Sequence, residues 1–432
     1  MDPGVDPVMV KRVLMIAFHY PPVRGSSGIQ RTLKFSQYLP DSGWQPVVLS
    51  AHPRAYANTG NDQMDEISKQ VEVHRAFALN TSKHLSIKGR YLSLMSLPDR
   101  WVSWWIGAVP AGLKLIRKLR PDVIWSTYPI ATAHLIALTL HRLTGIPWVA
   151  DMRDPMTDDG YPSNPLTRCA YVWIERKTLT YATRVVCTTP GTIKLYRKRY
   201  PEIPDSRYCL IANAYDEENF AQAAVIAPTK PEGAPFVLVH SGVIYPSERD
   251  PTQFFQAMAE LSKQGHISAA RLKLVLRATG HDSYLRKLID DHGIAEIVSL
   301  APPVPYREAL SEMLSADGLL VLQATNCNHQ IPAKLYEYLR AQRPILGLTD
   351  PMGDTAATLI DAGINTIAPL DSKEKIMEQL LRFLDLAERN AAPIASMDKV
   401  MANSRRSRSG ELACLLDEVV GYARVKFLEQ AG

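Results

Sequence analysis

The order strand, loop, helix begins twice in this chain, and this repeat is the feature that most limits its possible folds. The first copy begins at the apolar residues 13–18 and the second at residues 236–240, each followed by a glycine-containing loop and an amphipathic helix. Short apolar runs without polar alternation are typical of parallel strands buried on both faces. Parallel strands need helical crossovers, so the pattern predicts two doubly wound α/β domains in tandem.

The division between the two domains is predicted near the middle of the chain. A chain of 432 residues is too long for one ordinary core. Residues 225–235, VIAPTKPEGAP, are rich in Pro and lack periodicity, which is typical of a linker. We therefore predict a first domain over residues 1–224 and a second over 236–405. A C-terminal helix within residues 406–432 is free to cross back to the first domain.

Composition excludes several classes of protein. Hydrophobic residues make up 46% and charged residues 22%, as in ordinary globular proteins, and a net charge of +5 is too small for a broad nucleic-acid surface. The five cysteines are scattered without metal-ligand spacing, which favours a reducing compartment. The N-terminal residues lack the order of a signal peptide, and no uncharged run is long enough to span a membrane. We expect a cytoplasmic protein.

Residues 326–348, NCNHQIPAKLYEYLRAQRPILGL, carry the strongest functional signal from the residues alone. They follow a predicted strand at 318–322 and contain a helix predicted to begin at Pro332. Free amides and the dipole at a helix start attract phosphate. Lys334 and Glu337 lie three residues apart, suited to a phosphate and to sugar hydroxyls respectively. The stretch predicts a site for a phosphorylated sugar or a nucleotide. Downstream, Thr355 is predicted to cap the next helix.

Polar side chains follow predicted strands of the first domain as well. Asp151, Arg153 and Asp154 come directly after the strand at 147–150, and His19 follows the first strand. Ligands in open α/β sheets bind at the carboxyl ends of strands, so these four are candidate acceptor-side residues. His134 lies near another strand end. The alternatives are an internal ion pair for the Asp-Met-Arg-Asp stretch and a hydrogen-bonded, half-buried histidine for His134.

Residues 83–120 combine basic and aromatic side chains. Eight Lys and Arg residues are opposed only by Asp99, and Trp101, Trp104 and Trp105 lie among them. Aromatic residues beside basic ones can seat a protein on an anionic bilayer. Tryptophans at this helical spacing also form a single face that packs on a core. Both interpretations remain open from the sequence.

Six segments spread over nearly the full chain carry a resemblance to a known family. They are AFHYPPVRGSSGIQRTLKFSQYLPDSGWQPVVLS, PDVIWSTYPIATAHL, PWVADMRDP, ANAYDEENF, HSGVIYPSERDP and IPAKLYEYLRAQRPILGL. Together they resemble the retaining glycosyltransferases of the large family 4 type, and within it the subgroup that makes exopolysaccharides and surface glycans. The resemblance implies a GT-B fold, which is two Rossmann-like doubly wound domains facing a cleft.

The resemblance implies that the second domain binds a nucleotide sugar and the first an acceptor. Glu337 matches the second of two family glutamates and would contact the ribose, while His329 stands where the first is usual. Arg249 would contact the pyrophosphate, and Lys334 shares this task by its position on the helix. His134 would lie near the donor sugar. The other implied donor-binding residues are Gly25, Ser26, Ser27, Gly28, Gly242, Val304, Gln330, Ile331, Pro332 and Ala333.

The implied reaction needs positive charge where a diphosphate departs. Arg249 and Lys334 are therefore predicted catalytic residues. His134 is the third, because the resemblance implies that it lies near the donor sugar. No Asp-x-Asp pair stands at a suitable strand end, so we expect neither a metal nor another cofactor, with a nucleoside-diphosphate sugar as co-substrate. Retention of anomeric configuration is implied by the resemblance alone.

Two alternative functions and the partners remain as predictions. A non-hydrolysing nucleotide-sugar epimerase shares the two-domain plan and needs no acceptor. A non-catalytic nucleotide-sugar-binding partner of another transferase is also consistent with His329 in place of an acid. For the transferase, the expected acceptor is a glycan or a lipid-linked glycan, with peripheral membrane contact through residues 83–120 and no nucleic acid.

Overall fold

The computed structural model describes residues 10–24, 28–61, 63–86, 88, 90–224 and 233–431. Most of the predicted linker, residues 225–232, lies outside the described residues. The chain divides into two compact units, Met1–Ala212 together with Arg405–Gly432, and Asn213–Ser404. Each unit is a parallel sheet with helices, which confirms the predicted fold class.

The sheet of the first unit is parallel throughout and has seven strands in the order β3-β2-β1-β4-β5-β6-β7. The order reverses between β1 and β4, so this unit is doubly wound with a switch point there. The strands are β1 (Lys11–Ile16), β2 (Trp44–Ala51), β3 (Glu72–Ala76), β4 (Val123–Thr127), β5 (Trp148–Arg153), β6 (Arg184–Cys187) and β7 (Tyr208–Leu210).

Helices connect these strands. They are α1 (Gly28–Tyr38), α2 (Thr81–His84), α3 (Ser103–Leu119), α4 (Ala131–Thr144), α5 (Pro165–Tyr181) and α6 (Pro190–Arg199), with 3-10 turns at Leu39–Ser42, Pro53–Ala55, Ser93–Ser96 and Asp205–Arg207. Strands β1 and β4 are almost wholly buried, as their apolar sequences predict.

The second unit repeats this plan with six strands in the order β10-β9-β8-β11-β12-β13. The strands are β8 (Phe236–Ser241), β9 (Leu272–Arg277), β10 (Val298–Ala301), β11 (Gly318–Leu322), β12 (Ile345–Leu348) and β13 (Ile367–Ala368). The helices are α7 (Glu217–Ala224), α8 (Pro246–Arg249), α9 (Thr252–Lys263), α10 (Asp282–His292), α11 (Tyr306–Ser315), α12 (Lys334–Ala341), α13 (Asp354–Asp361), α14 (Lys373–Glu388) and α15 (Met397–Ala402), with a 3-10 turn at Thr325–Cys327. The switch point lies between β8 and β11.

The unit boundaries differ from the predicted domain boundaries. Helix α7 groups with the second unit, because Arg340 makes a bidentate ion pair with Glu217 and Arg307 donates to Gln222. The last helix, α16 (Arg405–Ala431), packs in the core of the first unit through Leu412 and Leu416.

Two edge strands were not predicted from the sequence. Strand β3 reads EVHRA and is only partly buried, and β13 has two residues. Such strands form because a neighbouring strand offers free backbone groups, with β2 pairing β3 and β12 pairing β13. Neither carries the apolar pattern that marks an inner strand.

The three tryptophans of residues 83–120 pack on the core of the first unit. Trp104 is fully buried, and Trp101 and Trp105 are partly buried against the same core. The indole N–H of Trp101 donates to the Ala55 carbonyl and that of Trp105 to the Thr139 hydroxyl. The core-packing interpretation of these tryptophans is confirmed, so they are not the residues that would enter a bilayer.

Candidate functional site

The candidate site of the second unit lies at its switch point. Strand β8 ends at Ser241 and the adjacent β11 ends at Leu322, and the chain leaves these two strands in different directions. In doubly wound sheets this is where ligands bind, because the diverging connections leave a crevice. The loop after β11 leads into α12, which begins at Lys334.

Lys334 is held by a buried histidine at the end of β8. Nδ1 of His240 lies 2.9 Å from the carbonyl oxygen of Leu320, an acceptor, so Nδ1 carries the proton. Nε2 then has a free lone pair and accepts a hydrogen bond from Nζ of Lys334 at 3.0 Å. A neutral imidazole holds the Lys334 amine without adding the opposing charge that a carboxylate would bring.

Gly242 makes room for this contact. Its φ of +115° is a backbone conformation that side-chain-bearing residues rarely adopt. A Cβ atom here would lie 2.9 Å from Nζ of Lys334 and 3.3 Å from its Cε. Any larger residue at this position would therefore displace Lys334.

Among the described residues, no carboxylate forms an ion pair with Lys334 or Arg249. Burial, and after it the Arg249 charge, hold the pKa of Lys334 well below its usual value, while Glu337 opposes this more weakly. Burial and the Lys334 charge likewise hold the pKa of His240 well below its usual value. Nη1 of Arg249 donates to the Val243 carbonyl at 2.7 Å. Two cations that repel each other at a strand end form a site suited to an anion.

The loop before α12 is held by side chains that the sequence analysis missed. The buried Gln323 amide donates to the carbonyls of Cys327 at 2.7 Å and of Gln330 at 2.9 Å. Thr355 donates its hydroxyl to the Gln323 side-chain oxygen and lies 3.2 Å from the Gln330 carbonyl oxygen. These bonds fix the backbone of residues 327–330.

Two local predictions about this region were wrong. The helix begins at Lys334 and not at Pro332, because Leu335 and Tyr336 bond three residues back, to the Pro332 and Ala333 carbonyls, as in a tighter turn. Thr355 does not cap α13. The cap position is Gly353, and the Thr355 side chain is buried against the loop described above.

Glu337 lies one turn into α12, near the same strand ends. Its carboxylate accepts a hydrogen bond from the Tyr306 hydroxyl at 2.7 Å. His329 is partly buried beside Gln330, with 3.5 Å between the His329 Nε2 and the Gln330 amide nitrogen. Val304 is half-buried in the loop between β10 and α11, and Ile331 is buried.

In the first unit, Asp151 forms a buried ion pair with Arg31. Its two oxygens accept from Nε and Nη2 of Arg31 at 2.8 and 2.9 Å, and the Thr127 hydroxyl adds a third bond at 3.0 Å. Arg31 also donates to the carbonyls of Ile211 and Ala212. Both ionic side chains are almost inaccessible to solvent. Asp151 is therefore a structural residue, and its partner is Arg31 rather than Arg153.

Arg153 lies at the carboxyl end of β5 in a strained conformation. Its φ of +58° coincides with a register shift between β5 and β6. Its guanidinium is buried, with Nη1 3.5 Å from the Tyr128 carbonyl, and within the described chain Nε has no hydrogen-bond partner. Burial and the Arg153 charge lower the pKa of His19 to about 4. His19 and Arg153 thus come together, with Asp154 near enough to favour the charged form of Arg153.

His134 is enclosed in the first unit. It has no exposed surface, its Nδ1 lies 2.8 Å from the Ser126 hydroxyl, and its ring lies 6.1 Å from that of Trp148. A side chain without accessible surface cannot contact a sugar. This geometry supports the alternative of a hydrogen-bonded core histidine over the predicted catalytic role.

The buried His134 predicts a loss of stability in mild acid. Burial lowers its pKa to about 4, opposed by Asp151, whereas an unfolded histidine titrates near 6.5. Below pH 6.5 the unfolded state binds the extra proton, so stability falls as the pH drops towards 4. Between pH 7.5 and 5 the expected loss from this residue is about 2 kcal/mol. Urea denaturation at both pH values should show a smaller difference for His134→Asn, and an unchanged difference contradicts the assignment.

The structure describes only part of the glycine-containing loop of the first unit, whose residues the family resemblance assigns to donor binding. Gly25, Ser26 and Ser27 lie outside the described residues. Gly28 is the first residue of α1 and is buried. Its position follows β1, next to the switch point of this unit.

Comparisons with known proteins agree with this architecture. Residues 27–214 match the family described as "Glycosyl transferase 4-like domain", which is less than half of the chain. Sucrose-phosphate synthase from Thermosynechococcus elongatus matches with a TM-score of 0.60 at 14% identity, over 98% of this chain and 99% of that chain. The chain has the GT-B fold.

Other GT-B structures are similar over comparable lengths. Anabaena HepE in complex with UDP matches with a TM-score of 0.59 at 10% identity, over 97% of this chain and 100% of that chain. The UDP-GlcNAc 2-epimerase from Neisseria meningitidis bound to UDP-GlcNAc matches with a TM-score of 0.53 at 13% identity, over 94% and 100%. No curated protein sequence matches this chain. At these identities the structural likeness shows the fold alone.

The described residues of this GT-B chain lack two kinds of feature. No helix there is long and apolar enough to cross a membrane. No group of three or more His, Cys, Asp or Glu side chains there is arranged to hold a metal ion.

Proposed function

We propose that this protein is a glycosyltransferase that moves a sugar from a nucleoside-diphosphate sugar to a glycan or lipid-linked acceptor in surface-glycan synthesis. The observation that carries the proposal is the cation cluster of Lys334 and Arg249 at the switch point of the second unit, held by His240 over Gly242. The glycosyl transferase 4-like match in the first unit supports the same reaction class.

The cluster suits the departure of a diphosphate. When the bond between the anomeric carbon and the diphosphate oxygen breaks, the oxygen keeps the electron pair and its negative charge grows. Lys334 and Arg249 stabilise that charge, and the half-buried setting strengthens the interaction. The acceptor hydroxyl forms the new bond to the anomeric carbon, and its proton passes to a phosphate oxygen. Retention of configuration and metal independence belong to this proposal through the family resemblance.

The remaining donor contacts follow from the same cluster. We assign Glu337 to the ribose hydroxyls, since its carboxylate already accepts from a neutral hydroxyl, that of Tyr306. The fixed backbone of residues 327–330 would face the sugar and His329 would replace the usual acid. His19 and Arg153 are assigned to the acceptor side. His134 is left out of the catalytic set because of its burial.

The donor site is tested by Glu337→Ala. Losing a charged hydrogen bond to the ribose should weaken binding of a nucleoside-diphosphate sugar by about 10- to 100-fold. A thermal-shift screen of uridine, guanosine, adenosine and thymidine diphosphates and their sugars first finds the ligand, and calorimetry then compares the variants. Glu374→Ala, an exposed glutamate of α14, is the control and should bind as the parent does. Equal binding by the Glu337 variant would sink the donor-site assignment.

An epimerase is the second candidate, favoured by the structural likeness to UDP-GlcNAc 2-epimerase. The two activities differ in what they consume. An epimerase converts a nucleotide sugar incubated alone with the protein, whereas a transferase requires an added acceptor and releases a nucleoside diphosphate. Product analysis by mass spectrometry and NMR with and without acceptor decides between them.

A further inference from the structure

A run of exposed apolar side chains stands out on the first unit. Residues 90–95, RYLSLM, are all exposed, and Leu92 and Leu94 are 72% and 73% accessible. Ile106, near the start of α3, is 65% accessible. Exposing several neighbouring large apolar side chains to water is unfavourable, so such a run indicates a contact surface. We call residues Tyr91, Leu92, Leu94 and Met95 the leucine surface.

The charge around the leucine surface is of one sign. Asp99 is the only acid between residues 77 and 121. Its carboxylate is buried and accepts from the Trp101 amide and from the amide and hydroxyl of Thr132. The neighbouring bases remain exposed, namely Lys83, Lys88, Arg90 and Arg100. The surface of this segment is therefore apolar and positively charged, because its one acidic residue, Asp99, is buried.

The leucine surface is fixed to the folded unit. The Thr81 hydroxyl at the start of α2 donates to the carbonyls of Met95 and Arg100 at 2.9 and 3.0 Å. The Thr81 amide also bonds to Arg100, and the Ser103 hydroxyl bonds to Leu79. These bonds join the 3-10 turn Ser93–Ser96 to α2 and α3. The backbone that carries the exposed leucines is therefore held in place by the folded unit.

We propose that the leucine surface and its basic rim dock the protein on an anionic lipid bilayer. Apolar side chains that enter the acyl boundary and bases that meet lipid phosphates are the two elements of interfacial binding. An acidic protein partner would pair with the basic side chains but would leave the exposed leucines in water. A second copy of this chain would bring two positive surfaces together. The proposal goes beyond sugar transfer and does not depend on it.

Vesicle binding tests the proposal without any nucleotide sugar. The full chain should sediment with vesicles of phosphatidylcholine mixed with phosphatidylglycerol, and much less with pure phosphatidylcholine. The variant Leu92→Asp/Leu94→Asp should bind the mixed vesicles at least about tenfold more weakly. Arg90→Glu/Arg100→Glu should lose the preference for the anionic lipid. Leu166→Asp, at an exposed leucine of α5, is the matched control and should bind as the parent does.

Several outcomes overturn the proposal. These are no binding by the parent chain, equal binding by the double leucine variant, or equal loss in the Leu166 variant. If the parent is a dimer, the leucine variant is a monomer and both bind vesicles equally, the surface serves self-association and the proposal is wrong. Thermal unfolding of each variant shows that it is folded. Nucleotide-sugar binding should stay unchanged, so a failed donor-site assignment remains separate from a failed membrane assignment.

Discussion

Replacing Lys334 by Met is expected to lower kcat for the proposed sugar transfer by about 10²- to 10³-fold, since it removes one of the two basic side chains that we propose stabilise the departing diphosphate. Met is an unbranched side chain only one heavy atom shorter than Lys, and it carries no charge. Steady-state release of nucleoside diphosphate measures the effect. Lys273→Met, at an exposed position on β9 of the same unit, is the control and should keep the parent rate.

The same substitution should leave the empty protein as stable as before or more stable. Burial and Arg249 hold the pKa of Lys334 well below its usual value, which means that its charged form is disfavoured where it sits. A neutral side chain removes this cost. A loss of activity without a loss of stability distinguishes a functional lysine from a structural one. A large drop in melting temperature with Lys334→Met contradicts the assignment.

A bound diphosphate should also change the protonation of Lys334. Its negative charge favours the ammonium form, so the pKa rises from its depressed value on binding. At a pH where the empty protein has lost this proton, we expect net proton uptake on binding, seen in calorimetry as a binding enthalpy that depends on the ionisation enthalpy of the buffer. The Lys334→Met variant should show a smaller dependence. This readout does not require turnover.

Inner strands were predictable because strands buried on both faces have continuous runs of apolar residues. Strand β11 was predicted with its observed bounds, and β8 to within one residue. The edge strand β3 was missed because its polar sequence is strand only through its pairing with β2. The start of α12 was predicted too early, because residue preferences do not show that the Pro332 and Ala333 carbonyls accept tight-turn hydrogen bonds.

The residues that position the charged side chains of the site were harder to predict than the charged residues themselves. Lys334 and Glu337 were predicted from their positions on the first turns of a helix, and Arg249 from the family resemblance. His240 was missed, although a histidine as the fifth residue of an otherwise apolar strand is a usable signal. The Arg31 partner of Asp151 lies 120 residues earlier in the chain, and no local pattern encodes such a pairing. Burial of His134 likewise depends on packing between elements.

Asp151→Asn is expected to destabilise the first unit by about 3–5 kcal/mol, because it leaves the buried Arg31 charge without its carboxylate. Asn has nearly the same shape, so the loss comes from charge and hydrogen bonding rather than from a cavity. Arg31 joins α1, β5 and the chain after β7 through its bonds to Asp151, Ile211 and Ala212. Denaturant unfolding, followed for each unit's transition, measures the change.

The matched control is an ion pair of the same geometry on the surface of the second unit. Arg271 binds Glu388 through Nε and Nη2 at 2.7 and 3.1 Å, with both side chains more than a third exposed. Glu388→Gln should cost less than about 1 kcal/mol because water screens the pair. The double variant Arg31→Met/Asp151→Leu should recover part of the Asp151→Asn loss, since no unpaired charge then remains buried. Recovery stays partial because the carbonyls of Ile211 and Ala212 lose their donor. Equal losses for Asp151→Asn and Glu388→Gln would show that burial does not amplify the first pair.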